Sequence, residues 1–133
     1  MSETASATPY ERIGGEAGVR RLVRRFYELM DTVPEGGAAR AIHGAELGPS
    51  EEKLFLYLTG WLGGPQLFVE KYGHPMLRRR HLHAPIAGAE ITAWLACFRR
   101  AWAECVADAG LTAVVLPQIE NLARHMRNRE DPG

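Results

Sequence analysis

Histidines, tryptophans, tyrosines and cysteines are the side chains of this chain whose type and spacing could do chemistry. The histidines are His43, His74, His81, His83 and His125. No two have the four-residue spacing by which one helix clamps a metal between imidazoles, and neither an HExxH nor a CxxC motif occurs. His81 and His83 are two residues apart, so on a helix they would point about 200° apart and could not share a metal. A zinc site is therefore not expected. His81 has a distinctive setting, with Arg78, Arg79 and Arg80 directly before it and Pro85 after it. A lone imidazole is more often structural than a ligand. One backed by cations also suits an anionic planar metal cofactor, and spacing alone leaves both readings open.

Tyr27, Trp61, Trp94 and Trp102 each fall on an apolar helical face, where a buried hydroxyl or indole N–H needs a hydrogen-bond partner. Taken singly, each reads as the wet-tipped edge of a core. Cys97 and Cys105 are eight residues apart on one predicted helix, about 12 Å, too far for a disulfide. This pattern fits a reducing compartment.

The elements that must position these groups are helical. Val19, Leu22, Val23, Phe26, Tyr27 and Met30 share one face. A second face carries Leu54, Tyr57, Leu58, Trp61 and Leu62, with Ser50 as its expected cap and Gly63-Gly64-Pro65 as its stop. The third and longest has Ile91, Trp94, Leu95, Phe98, Trp102, Cys105 and Val106. A fourth has Val115, Ile119, Leu122 and Met126, opened by Thr112, with Pro117 predicting a later start or a distorted first turn. Residues 33–49 and 63–87 are rich in Gly and Pro and predict loops, with a brief helix at Ala38–Ile42 and one or two turns in the second segment. No stretch alternates with period two over a strand's length, so the fold class is all-α.

The 133 residues suffice for one domain with a real core. Hydrophobic residues at 46% and charged residues at 24% exclude a disordered chain, a collagen-like repeat and a coiled-coil rod. Sixteen Lys and Arg balance sixteen Asp and Glu, which counts against nucleic acid as a partner. The apolar runs are far shorter than the ~20 residues of a membrane span. Met1–Pro9 lacks the basic start and apolar run of a signal peptide, so a cytoplasmic protein is expected. Residues 1–9 are expected as a flexible N-terminus and 130–133 as frayed, with the domain over residues 10–130.

Several segments together resemble the group II truncated haemoglobins. They are Arg25-Phe26-Tyr27, Trp61-Leu62-Gly63-Gly64-Pro65, the run from Gly73 to His81, Trp94 thirteen residues after His81, and Ala123-Arg124-His125-Met126. The resemblance covers roughly residues 8 to 130, in the family's order and spacing. It implies a truncated globin, a two-over-two helical sandwich around haem b, with the first helix reduced and an extended loop before the proximal histidine.

The resemblance makes His81 the iron ligand, with His83 as the fallback. Arg80 and Arg78 are implied to face the haem propionates. Leu54 and Phe26 are implied as apolar haem contacts. Tyr27 and Trp94 are implied as hydrogen-bond donors to a bound diatomic ligand. His43 is a third polar group, donating to the ligand or to Tyr27, or else closing its loop. Ser50 is too short to reach the ligand and would leave a route from solvent.

The function implied is reversible binding of O2 and other diatomic ligands at a five-coordinate iron. The alternative is haem redox catalysis, peroxidase-like or nitric oxide dioxygenation, with Tyr27 and Trp94 carrying radical equivalents and a separate reductase supplying electrons. A cofactor-free helical interaction module is a third reading, and it predicts no visible absorption band. Tyr10 and Trp102 are candidates for a surface between two copies, the chain being either a monomer or a homodimer.

Overall fold

The computed structural model describes residues 7–82 and 84–130; residues 1–6, His83, residues 131–133 and the side chains of Leu77 and Arg78 lie outside the described residues. The short helix α1 (Pro9–Arg12) opens on a capping box. The Thr8 hydroxyl accepts from the Glu11 N–H at 3.1 Å, and the Glu11 carboxylate accepts from the Thr8 N–H at 3.0 Å. Within the stretch expected as a flexible end, Thr8 caps α1 and Pro9 is its first residue.

Helix α2 (Gly15–Thr32) buries Val19, Leu22, Val23, Phe26, Tyr27 and Met30, the face that the spacing predicts. It starts tight against α1 because Gly18 has no side chain; a Cβ there would stand 1.9 Å from the Ile13 carbonyl oxygen. A 3-10 turn (Pro34–Gly36) and α3 (Gly37–Ala41) follow. At Gly36 a Cβ would meet Cys97 Sγ at 2.8 Å and Met30 Cα at 3.0 Å. Glycine therefore lets this turn, and α3 after it, seat on the helix that carries Cys97.

Helix α4 (Gly48–Trp61) begins two residues before Ser50, with Pro49 in its first turn and no side-chain cap. Pro49 suits this place because an N–H there would lack an intrahelical partner anyway. Helices α5 (Leu67–Tyr72) and α6 (Leu77–Arg80) are short pieces in the long segment before α7 (Gly88–Cys105). Helix α8 (Ala109–His125) opens three residues before Thr112 and continues through Pro117. Asp108 is the reason: its carboxylate accepts from the Leu111 N–H at 3.0 Å and from Arg12 at 2.6 Å. Thr112 instead accepts the Trp102 indole N–H at 2.7 Å.

Two pairs of helices make the sandwich. Helices α2 and α4 pack on each other, α7 packs on α8, and α2 crosses α7 to join the pairs. All described residues outside helices are turns or loops, without strands. Trp102 is 1% exposed, so it is core and not a surface for a second copy; Tyr10 is half-buried, its ring against Gly64. Cys97 and Cys105 are both free thiols. Among the described residues no helix is long and apolar enough to cross a membrane.

Candidate functional site

A cavity of about 500 Å³ lies between the helices, lined by side chains from α2, α3, α4, α7 and α8 and by the segment around His81. That volume is in the range of small-molecule and cofactor sites, about 300–1,000 Å³. Leu54 and Leu58 of α4, Ile91 of α7, Ile119 and Leu122 of α8, and Met126 just beyond it give the cavity an apolar lining. Tyr27, His43, Trp94, Arg80 and His81 bring the polar groups. The structure thus gathers into one cavity six of the residues singled out in the sequence: His81, Arg80, Leu54, Trp94, Tyr27 and His43.

Phe26, expected as a cofactor contact, is not on the cavity wall. It is 0% exposed and stands behind the wall, edge-on to Tyr27 at 4.8 Å and to Trp94 at 4.9 Å between ring centroids. The helical turn that aims Tyr27 at the cavity turns its neighbour Phe26 into the core. Phe26 holds both polar rings in place from behind, and Phe98 stacks on Trp94 at 5.3 Å and 8°.

Tyr27 is buried, and among the described residues its hydroxyl has no hydrogen-bond partner. Burial, with the nearby Glu51 charge adding to it, pushes this hydroxyl well above the ordinary tyrosine range. It therefore stays protonated and remains a donor. Trp94, half-buried, also has an indole N–H with no partner among the described residues. A buried donor is rarely left unpaired, so the Tyr27 hydroxyl, with the half-buried Trp94 N–H at the same cavity, points to an acceptor that belongs there.

His43 follows α3 and places its ring 5.9 Å from that of Tyr27, nearly perpendicular. Its Nδ1 lies 2.7 Å from the Ala39 carbonyl oxygen. A carbonyl only accepts, so Nδ1 carries the hydrogen, and in the neutral ring Nε2 has only a lone pair to offer. The loop-closing reading of His43 thus has a hydrogen bond behind it. Donation to a ligand or to Tyr27 would require the charged imidazolium.

His81 follows α6 in a turn and lines the cavity. A lone imidazole suits a metal whose other donors arrive with it, as in a porphyrin. The segment before it is held by Arg80, whose Nε donates to the Pro75 carbonyl at 2.5 Å and whose Nη2 donates to the Tyr72 and His74 carbonyls at 3.2 and 3.3 Å. Arg80 thus braces the loop that precedes α6, where Met76 adopts a φ of 44°, unusual for a residue with a side chain. Of the other expected ligands to the cofactor, the Arg78 side chain and the fallback His83 lie outside the described residues.

Lys53, Tyr57 and Tyr72 also line the cavity and are not among the residues expected there. A signal was present for two of them. Ser50, Lys53, Leu54, Tyr57 and Leu58 have helical spacing, and extending the α4 pattern back one turn from Leu54 finds the cavity side. Ala84 and Ile86 lie in irregular backbone, where periodicity has nothing to report.

The lining, the volume and the unpaired donors fit a haem, and comparison with known proteins agrees. The family model described as bacterial-like globin matches residues 8–128. A group 2 truncated hemoglobin of Bacillus subtilis is 37% identical over 123 residues, 92% of this chain and 90% of that protein. The solved group II 2-on-2 hemoglobin of Agrobacterium tumefaciens is 55% identical, with a TM-score of 0.93 over 98% of this chain and all of the other. A structure described as a truncated oxygen-avid haemoglobin from Bacillus subtilis is 37% identical, with a TM-score of 0.82 over 92% of this chain and 100% of its own. The chain belongs to the bacterial-like globins, among the group II truncated haemoglobins, and is a haem globin of two-over-two helical architecture.

Proposed function

We propose that this protein binds O2 and other diatomic ligands reversibly at haem b, with His81 as the protein's iron ligand and Tyr27 and Trp94 as the donors that retain the ligand. The observation that carries this reading is the pair of partnerless donors in an apolar cavity that also contains His81. When bound, the haem supplies a ferrous iron with a coordination position for a small gas.

Every other part of the work falls to this chain. Leu54, Ile91 and Ile119 keep the cavity apolar, so a hydrogen bond made inside it is stronger than one made in water. Tyr27 offers an O–H that does not ionise near neutral pH. Trp94 offers an N–H that can only donate. Two donors aimed at one electron-rich ligand slow its release, and this suits sensing, scavenging or chemistry better than bulk delivery. With Nδ1 bonded to the Ala39 carbonyl, a neutral His43 ring offers only an acceptor at Nε2 and would compete for the Tyr27 proton. Arg80 and Arg78 are the cations proposed for the haem carboxylates, with Lys53 at the same cavity as a third. Two free thiols support a reducing, cytoplasmic setting, and electrons to keep the iron ferrous would come from a separate reductase.

Stopped-flow measurement of O2 release tests the reading. A hydrogen bond to a charged acceptor contributes about 1.5–3 kcal/mol, so Tyr27→Phe should release O2 roughly 10- to 150-fold faster than the wild type. Equal rates in the two proteins would overturn the donor role. Rapid turnover of nitric oxide or peroxide with a reductant, outpacing O2 release, would favour redox catalysis over reversible binding.

A further inference from the structure

Three residues beyond the end of α8 the chain turns back toward the segment that carries His81. There the side-chain amide of Asn128 meets the backbone of that segment. Its Nδ2 donates to the Ala84 carbonyl at 2.9 Å and to the His81 carbonyl at 3.2 Å. Its Oδ1 accepts from the Ile86 N–H at 2.9 Å and from Arg129 Nη1 at 3.2 Å. The backbone N–H groups of Asn128 and Arg129 both donate to the Ile86 carbonyl, at 2.9 and 3.0 Å.

A primary amide has two donor hydrogens and two acceptor lone pairs, and here all four are engaged. Among the described residues here, His81, Ala84 and Ile86 lie outside regular helix; the Ala84 N–H donates locally to the His81 carbonyl at 3.1 Å, while the Ala84 carbonyl and both backbone groups of Ile86 are partnered from Asn128 and Arg129. Ala84 and Ile86 are themselves buried and line the cavity with His81. The contacts span 42 to 47 residues of sequence, so they fix the His81 segment against the C-terminal end of α8 rather than merely closing a local turn.

We propose that Asn128 is a positioning residue for His81: by gripping the His81 and Ala84 carbonyls and the Ile86 N–H at once, it sets the height and tilt at which the imidazole enters the cavity. Groups that orient a metal ligand change how firmly the metal is held, typically by about 10- to 100-fold. Asn128 reaches the ligand's backbone rather than its ring, so the lower end of that range applies. The amide is specific for this task. Asp would keep an acceptor for Ile86 but would face two carbonyl oxygens with a third oxygen.

The proposal rests on the haem reading, and its test keeps the two apart. The holoprotein is prepared as wild type, Asn128→Ala, Asn128→Asp and Thr112→Val, the last losing the Trp102 hydrogen bond away from the cavity. Resonance Raman spectroscopy reads the iron–imidazole stretching band, and transfer to an excess of a scavenging apoglobin reads haem loss. Both Asn128 variants should shift and broaden the band and lose haem about tenfold faster. Thr112→Val should lower stability while leaving the band and haem loss as in the wild type. A wild-type band with wild-type haem loss in either Asn128 variant would overturn the proposal.

Hydrogen exchange in the wild-type apoprotein requires no variant to fold. The Ile86 N–H should be protected, and exchange at the rate of an open loop would equally overturn the clamp. A wild type that takes up no haem while Ile86 remains protected would instead count against the haem reading.

Discussion

Trp94 and Trp102 are the same residue type on the same helix, eight residues apart, in opposite situations. Trp102 is 1% exposed, and its indole N–H is paired with Thr112 at 2.7 Å. Trp94 is half-buried at the cavity, and its N–H has no partner among the described residues. The first is a finished piece of core. The second is the donor proposed for the bound ligand. A buried donor that the protein itself satisfies, as at Trp102, is part of the core, and one that it leaves open toward a cavity, as at Trp94, is a candidate for binding.

Substitutions at the two positions should separate along this line. The largest effect is expected at the packed end. Trp102→Ala should cost about 3–5 kcal/mol in a urea unfolding titration, while ligand release from the folded fraction changes little. Trp94→Phe should do the reverse, with a nearly unchanged melting temperature and roughly tenfold faster O2 release, the lower end (about 1.5 kcal/mol) of what a hydrogen bond to a charged acceptor contributes, because Trp94 is only half-buried. If Trp94→Phe destabilised the fold as much as Trp102→Ala, the distinction between the two ends would fail.

The smallest effect concerns pH. The Tyr27 hydroxyl is raised by burial first and by Glu51 second, so its proton, and with it the donor, persists as pH rises past the ordinary tyrosine value of about 10. O2 release should therefore be flat from neutral pH to beyond that point. An acceleration centred near pH 10 would show that the hydroxyl is wet and ordinary.

Both tryptophans were legible in the sequence as points on one helical face, but their difference was not. Periodicity reports which residues leave water; it does not report whether a neighbour distant in sequence pairs with them. Thr112 pairs with Trp102 only because Asp108 starts α8 three residues earlier than the Thr112 signal suggested. Phe26 shows the same limit. Its spacing put it beside Tyr27, but one position on a helix turns a side chain by about 100°, from cavity to core.

Helix α4 shows the converse. Its expected apolar face ran through Leu54, Tyr57 and Trp61, yet its most buried residues include Phe55, Leu58 and Thr59. The helix serves two neighbours, the core on one side and the cavity on the other, and a single stripe cannot represent both. The Asn128 contacts were invisible for a simpler reason: they join irregular segments far apart in the chain.

The central claim is that His81 holds a haem iron in this cavity, and titration of the apoprotein with haem, followed in the visible spectrum, tests it most directly. The wild type should bind one equivalent tightly, with a Soret band and the spectrum of a histidine-ligated iron. His81→Ala should lose that spectrum and most of the affinity. A normal histidine-ligated complex in His81→Ala, with loss of the complex in His83→Ala instead, would contradict the assignment.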